Sequence, residues 1–406
     1  MRFKTKKAPK NGRDRAGYPD NMLNMALPNP SYGLSGADVP MQPEQPKRNW
    51  KKIAKRTLIT LLVVALLGGG WVGWKFLSNS AKIFGWGNLF GLFQNTKLDG
   101  EDTGHVNILL AGNSSDRTDG NGGGNLTDSI MIMSINTQNN TAFLLSVPRD
   151  LYVDIPNHGY AKINEAYQDG QNDKFNESGY ASGGMGLLEK TVSQKFGIPV
   201  NYYALVNYSA LRDAVNAVGG VTVNIQSSDS RGLYDPSYIS PTNHAALVNL
   251  TNGTHVLNGD QALNLARARG DSYGSYGFAR SDFDRTDHQR QILIALKDKA
   301  TGLGTLSNPI TLGKLFDSMG NNVKTDMKVQ QVRRLYTLLK KVPSAKIASA
   351  SLNNGKDVKL LTGYTNRYGQ STLIPAAGID DYSQIQAYVQ KLLSAGSGSS
   401  GSSSSN

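Results

Sequence analysis

Residues 106–150 read VNILLAGNSSDRTDGNGGGNLTDSIMIMSINTQNNTAFLLSVPRD. Three short apolar runs, Val106 to Leu110, Ile130 to Ile135 and Phe143 to Val147, are bounded by Gly, Asn and Pro, which predicts three strands of one sheet. The loops at their ends hold Asp116, Asp119, Asp128, Arg149 and Asp150. Asp116 leaves the first strand and Asp128 enters the second, so antiparallel pairing would bring the two carboxylates together at one sheet edge. Carboxylates offer hard oxygen ligands for Mg²⁺, and planar guanidinium groups grip phosphate oxygens, so this edge suits a divalent cation beside a phosphate. Taken singly, the same acids serve equally as turn residues and caps, and Arg149 with Asp150 as a surface ion pair.

Further along, strands are predicted at Leu151 to Pro156, Tyr202 to Val206 and Val221 to Ile225, and helices at Met185 to Phe196 and Ser209 to Val218. AKINEAY (161–167) is expected to begin a helix, and residues 226–254 read as a long loop rich in Ser, Asn and Pro. A helix capped by Asn258 or Gly259 carries Arg267 and Arg269. Two residues apart on a helix these side chains diverge by about 200°, so they serve one ligand only if the helix ends there, as Gly270 allows. Another helix is expected from about Asp284 to Ala300. Its start crowds Asp282, Asp284, Asp287, Arg285, Arg290, His288 and Gln289 into about two and a half turns; acids there favour the helix dipole, which leaves the arginines to be placed. His288 has no second histidine at ligand spacing and is taken as structural. Beyond residue 302, helical patterns at Thr311 to Met319 and Val329 to Lys341 and a strand at Ile347 to Leu352 suggest a C-terminal extension (303–393), followed by a flexible Ser/Gly-rich tail (394–406).

The formal charge of +12 is concentrated at the N-terminus: residues 1–56 hold 13 Lys and Arg against 4 Asp and Glu, and the remaining 350 hold 30 against 27. That distribution matches a basic cytoplasmic tail (1–56) ahead of a membrane span at 57–77, where an uncharged run of about 18 residues covers roughly 27 Å. The expected topology is a single-pass type II protein of the cell membrane, with a juxtamembrane linker (78–104) and everything beyond it outside the cell. No nucleic-acid partner is expected, since topology accounts for the basic cluster. The absence of cysteine excludes disulfides, thiolate nucleophiles and Cys-ligated zinc.

Seven blocks then occur in order: GNSSDR (112–117), TDSIM (127–131), SVPRDLYVDIP (146–156), KINEAY (162–167), VGGVTVNI (218–225), LNGDQALNLARAR (257–269) and DFDRTDHQRQ (282–291). Behind one N-terminal span, this series resembles the LytR-CpsA-Psr family over about residues 106–300. The resemblance implies an α/β/α sandwich around a mixed central sheet (105–302), preceded by one transmembrane helix, with an apolar pocket for a polyprenyl chain. It also implies a phosphotransferase that moves a glycopolymer from undecaprenyl pyrophosphate to peptidoglycan and releases undecaprenyl phosphate. Its partners would be the lipid-linked glycan donor, the peptidoglycan acceptor and membrane lipid. Alternatives are a non-catalytic wall-polymer binding protein, an attenuator-like regulator and a lipid pyrophosphatase. Residue by residue, the resemblance makes Asp116 and Asp128 the Mg²⁺ ligands and Arg149, Arg267, Arg269 and Gln289 the pyrophosphate contacts, with Arg285 and Asp282 supporting them. Asp128 or Asp150 would be the base. The sequence departs from the family pattern at Ser114, Leu126 and His288. Asp119 is thereby a rival metal ligand, and Arg117 or Arg290 a possible replacement phosphate contact.

Overall fold

The computed structural model describes residues 96–114, 126–240, 242–302, 322–353 and 357–395. The expected membrane span, the Gly-rich loop with Asp116, Arg117 and Asp119, and the helical pattern at 311–319 lie outside them. So do the Ser/Gly tail from 396 on and all but the last few residues of the linker. No helix among the described residues is long and apolar enough to cross a membrane.

A six-stranded mixed sheet organises the fold, in the order β11 (Val323–Thr325), β6 (Tyr202–Val206), β1 (His105–Asn113), β2 (Thr127–Asn136), β3 (Thr141–Val147) and β12 (Ile347–Ser351). Its centre is the predicted antiparallel trio β1, β2 and β3. β6 runs parallel to β1, and β12 parallel to β3. Apolar residues occupy both faces of these strands, as a sheet covered on both sides requires. Leu109, Ile132 and Leu145 point to one face and meet α1 (Glu165–Asn172), α2 (Gly184–Phe196) and α7 (Ser383–Ala395) in one core cluster. Val106, Ile108 and Ile135 point to the other and meet α6 (Val329–Lys341) through Leu335 and Leu338. The β4–β5 hairpin (Tyr152–Ile155, Gly159–Lys162) follows β3 directly, so AKINEAY divides between the end of β5 and the start of α1.

Two expectations change. The stretch read as one loop contains β8 (Leu233–Ile239), β9 (Ala246–Leu250) and the start of β10 (Gly253–Leu257), which pairs with β7 (Val221–Ile225). Pro236 and a register break between Asp235 and Ile239 hide β8 from an alternation test. With α3 (Tyr208–Ala217), α4 (Gly259–Arg267) and α5 (Asp282–Thr301), these strands enclose a second apolar cluster around Val215, Val248 and Leu265. The region after 302 is also not a mere extension, because β11 (Val323–Thr325) and β12 form the two edges of the central sheet. Local periodicity identifies a strand but not its partner: β12 pairs with a strand some two hundred residues earlier.

Glu189 on α2 is 4% exposed, and its Oε2 accepts the Ala181 N–H at 3.0 Å. Burial pushes its carboxyl up to about 7. Between about pH 4.5 and 7 the native state therefore keeps a proton that the unfolded chain has released, so this group lowers stability as pH rises through that window. Glu189→Gln should remove this slope and stabilise the protein above pH 7 by roughly 3 kcal/mol, measurable by denaturant unfolding across pH 4–8.

Candidate active site

The site lies where strand ends of the central sheet meet helices α3, α4 and α5. Asn207 ends β6 and caps α3, its Oδ1 accepting the Ala210 N–H at 2.9 Å, which places Tyr208 on the first helical turn. α4 opens with a capping box between Asn258 and Gln261 and stops at Arg267. Ala268 is already extended, with φ −64° and ψ 134°, and Gly270 takes φ +70°. The helix thus ends between the two arginines, and both Arg267 and Arg269 line one cavity.

That cavity has a volume of about 470 Å³. Leu110, Met131, Val206, Leu211, Leu263 and Leu293 give it an apolar wall. Its charged lining is Arg149, Arg267, Arg269 and Arg285 with Asp128 and Asp271, four cations against two anions, or +2. Arg149 Nη1 donates to Asp128 Oδ1 at 2.7 Å, and the Tyr208 hydroxyl stands 3.5 Å from Asp128 Oδ2. The Arg267 guanidinium lies between two aromatic rings, 4.7 Å from the centroid of Tyr208 and 4.9 Å from that of Tyr238, so its plane is held while its edge stays available. Arg269 Nε sits 3.2 Å from Asp282 Oδ1, which also receives Arg285 Nη2 at 2.8 Å. Asp282 therefore orients two cavity arginines without lining the cavity itself.

Arg285 is 5% exposed, and burial lowers its pKa to about 10, which still leaves it cationic at neutral pH. The Nε atoms of Arg149 and Arg285 are buried and have no hydrogen-bond partner among the described residues. Unpaired buried guanidinium N–H groups are costly, and a cluster of such cations around an apolar chamber suits an anion with a hydrophobic tail.

Other expected residues stand differently. Gln289 lines the cavity, but its amide is engaged: Oε1 accepts from Ser129 at 2.8 Å and Nε2 donates to the Ala266 carbonyl at 2.8 Å. It ties β2, α4 and α5 together. Asp150 is absent from the cavity lining: Lys162 holds its Oδ1 at 2.7 Å, and its Oδ2 lies 3.8 Å from Arg149 Nε, an ion pair too long for a hydrogen bond. Arg290 cannot replace a phosphate contact, because it is buried against Ser146 of β3, Ser349 of β12 and Asp287. His288 is buried edge-on to Phe278 and kept neutral by burial, with its pKa lowered to about 4. Asp116, Asp119 and Arg117 fall outside the described residues. Sequence reasoning missed Tyr208, Tyr238 and Asp271. Asp271 follows the Gly270 turn directly and could have been found there, whereas the tyrosines come from segments that carry no motif.

Comparison with known proteins fits this arrangement. The LytR_cpsA_psr family profile matches residues 91–373. The chain is 34% identical over 232 residues to a polyisoprenyl-teichoic acid–peptidoglycan teichoic acid transferase, TagU, of Oceanobacillus iheyensis, covering 57% of this chain and 62% of the relative. It is 32% identical over 224 residues to the corresponding transferase TagT of Bacillus subtilis, covering 54% and 60%. The match thus spans less than two thirds of either relative. Among solved structures, TagT bound to LI-WTA superposes with a TM-score of 0.52 at 25% identity, over 75% of this chain and 95% of that one. With the family profile spanning most of its length and a fold shared with a solved TagT structure, the chain belongs to the LytR-CpsA-Psr family.

Proposed function

We propose that this protein is a membrane-anchored extracytoplasmic phosphotransferase that moves a glycopolymer from a polyprenyl pyrophosphate carrier to peptidoglycan. The observation that carries the reading is one cavity in which four arginines adjoin an apolar wall, a match for a pyrophosphate ester of a long hydrocarbon chain. The names of the relatives, teichoic acid transferases acting on polyisoprenyl-linked substrates, agree with it. On this reading the helices on either face of the sheet make an α/β/α sandwich, and residues 57–77 are the anchor that holds it at the outer membrane surface.

In the reaction, the acceptor hydroxyl oxygen bonds to the sugar-proximal phosphorus. The bond from that phosphorus to the bridging oxygen breaks, and polyprenyl phosphate leaves with the bridging oxygen. Arg149, Arg267, Arg269 and Arg285 position the pyrophosphate and neutralise its charge, which is most of what phosphoryl transfer asks of a protein. Asp128 takes the hydroxyl proton, since it lines the cavity, whereas Asp150 stands outside it between Lys162 and Arg149. Tyr208 orders the site from beneath, with its ring on Arg267 and its hydroxyl towards Asp128.

Mg²⁺ belongs to this proposal: Asp128 would offer a hard oxygen beside the arginines, and Asp116, which lies outside the described residues, would supply the second carboxylate. Bound there, the ion would neutralise charge on the pyrophosphate oxygens.

Release of undecaprenyl phosphate from a lipid-pyrophosphate glycan, followed by chromatography, tests the reading. Arg149→Ala should lower the rate by about 100-fold or more. If the unmutated protein binds the donor but releases nothing with peptidoglycan present, the transferase reading fails in favour of a binding protein; equal release without peptidoglycan indicates a pyrophosphatase. In the same assay, chelation should abolish release and Mg²⁺ restore it. Asp128→Asn should be far more damaging than Asp150→Asn; the reverse order would reassign the base.

A further inference from the structure

The hairpin β13–β14 (Leu361–Thr365, Ser371–Pro375) holds side chains that the cavity does not use. It is docked beside the site. The Leu373 N–H donates to the Asp150 carbonyl at 3.0 Å, and Leu373 bridges Leu151 in parallel, so the hairpin attaches one residue from Arg149. Tyr364 on β13 is 38% exposed, Tyr368 at the tip 66%, and Tyr160 on β5 38%. The rings of Tyr160 and Tyr364 lie 5.6 and 5.8 Å from that of Tyr152. Lys162, which pairs with Tyr152 across the β4–β5 ladder, reaches Asp150. Lys162, Tyr160, Tyr364 and Tyr368, on two hairpins that adjoin the chain at Asp150 and Leu151, make up an aromatic track beside the site, and the Tyr368 ring lies 4.8 Å from the Arg367 guanidinium.

The tip is rigid. Asn366 Oδ1 accepts the N–H groups of Tyr368 and Gln370, both at 3.0 Å, and Gly369 turns the chain at φ +76°. Thr372 Oγ1 donates to the Tyr364 carbonyl at 2.8 Å across the ladder. An aromatic surface presented on a fixed turn binds without much ordering cost, and its apolar faces are unfavourable in water unless a partner covers them.

We infer that this track binds the saccharide chain of the acceptor polymer. A pyranose ring has an apolar face of C–H groups and a rim of hydroxyls, which suits a tyrosine face edged by Arg367, Gln370 and Lys162. The donor is already held by its pyrophosphate and its lipid, whereas an uncharged acceptor hydroxyl has no such handle in the cavity and must be positioned through neighbouring sugars. The inference rests on the transferase reading for the identity of the polymer, and the two can fail separately.

The test is co-sedimentation of the full chain in detergent with insoluble peptidoglycan sacculi, alongside binding of the lipid-linked donor and release of polyprenyl phosphate from it by the unmutated protein with peptidoglycan present. The double variant Tyr364→Ala/Tyr368→Ala should bind sacculi about tenfold more weakly, as loss of aromatic anchors does at other interfaces. Tyr368→Phe should bind normally, and binding of the lipid-linked donor should be unchanged in both. Tyr368→Ala alone, at the exposed tip, repeats the test should the double variant melt early. Unmutated protein that does not sediment, or a stable double variant that sediments as well as it does, overturns the inference. So does competition by soluble donor polymer as strong as that by sacculi fragments, which would give the track to the donor. Absence of release from the unmutated protein with peptidoglycan present, together with tyrosine-dependent sedimentation, would instead sink the transferase reading and leave the surface standing.

Discussion

The 2.7 Å contact between Arg149 and Asp128 depends on strand register. β2 and β3 pair with Ile130 opposite Val147, so the residues just before Ile130 and just after Val147 emerge at the same edge of the sheet. A slip of one residue would turn Ile130, Ile132 and Leu145 out of their core and carry Asp128 away from Arg149 in the same step. Burial of both sheet faces thus fixes the site: the apolar residues that stabilise the trio are those that set the relative position of its charged ends.

Around that edge the protein manages a large positive charge in a small, poorly solvated space. Arg285 is nearly buried, yet Asp282 pairs with both it and Arg269, and Arg267 is held between two tyrosine rings. Each arginine is oriented by a group that leaves part of its guanidinium available to a ligand. Arg290 shows the opposite use of the same residue type. Its donors are consumed by Ser146, Ser349 and Asp287, so it ties α5 to β3 and β12 and contributes nothing to the cavity. Helix α5 therefore presents cavity-lining charge at Arg285 and structural charge at Arg290, five residues further along the same element.

The helix that ends early is the other decisive device. Had α4 continued through Arg269, Arg267 and Arg269 would point to different sides. Ala268 in an extended conformation and Gly270 in the left-handed region break it between them. The hairpin β8–β9 supports this turn, since buried Asp235 accepts the Gly270 N–H at 3.3 Å and Tyr276 stacks on Tyr234. A segment that reads as loop in the sequence is in fact a brace for the site.

The sequence by itself determined the central trio of strands, the convergence of Asp128 with Arg149, and the need for α4 to stop at its arginines. Each follows from a local rule: apolar runs bounded by turn residues, the geometry of antiparallel pairing, and the angular spacing of helical side chains. Only the tertiary structure decided which charged residues face the cavity. Asp150 and Asp128 are equivalent in sequence, but Lys162 from the next hairpin claims one of them. Gln289 and Arg290 are neighbours, but a helix separates adjacent side chains by about 100°, so one borders the cavity and the other meets the serines of β3 and β12. The parts played by Tyr208 and Tyr238 and the pairing of β12 with β3 were illegible for the same reason. Their roles come from contacts with residues tens to hundreds of positions away, and local periodicity carries no information about such partners.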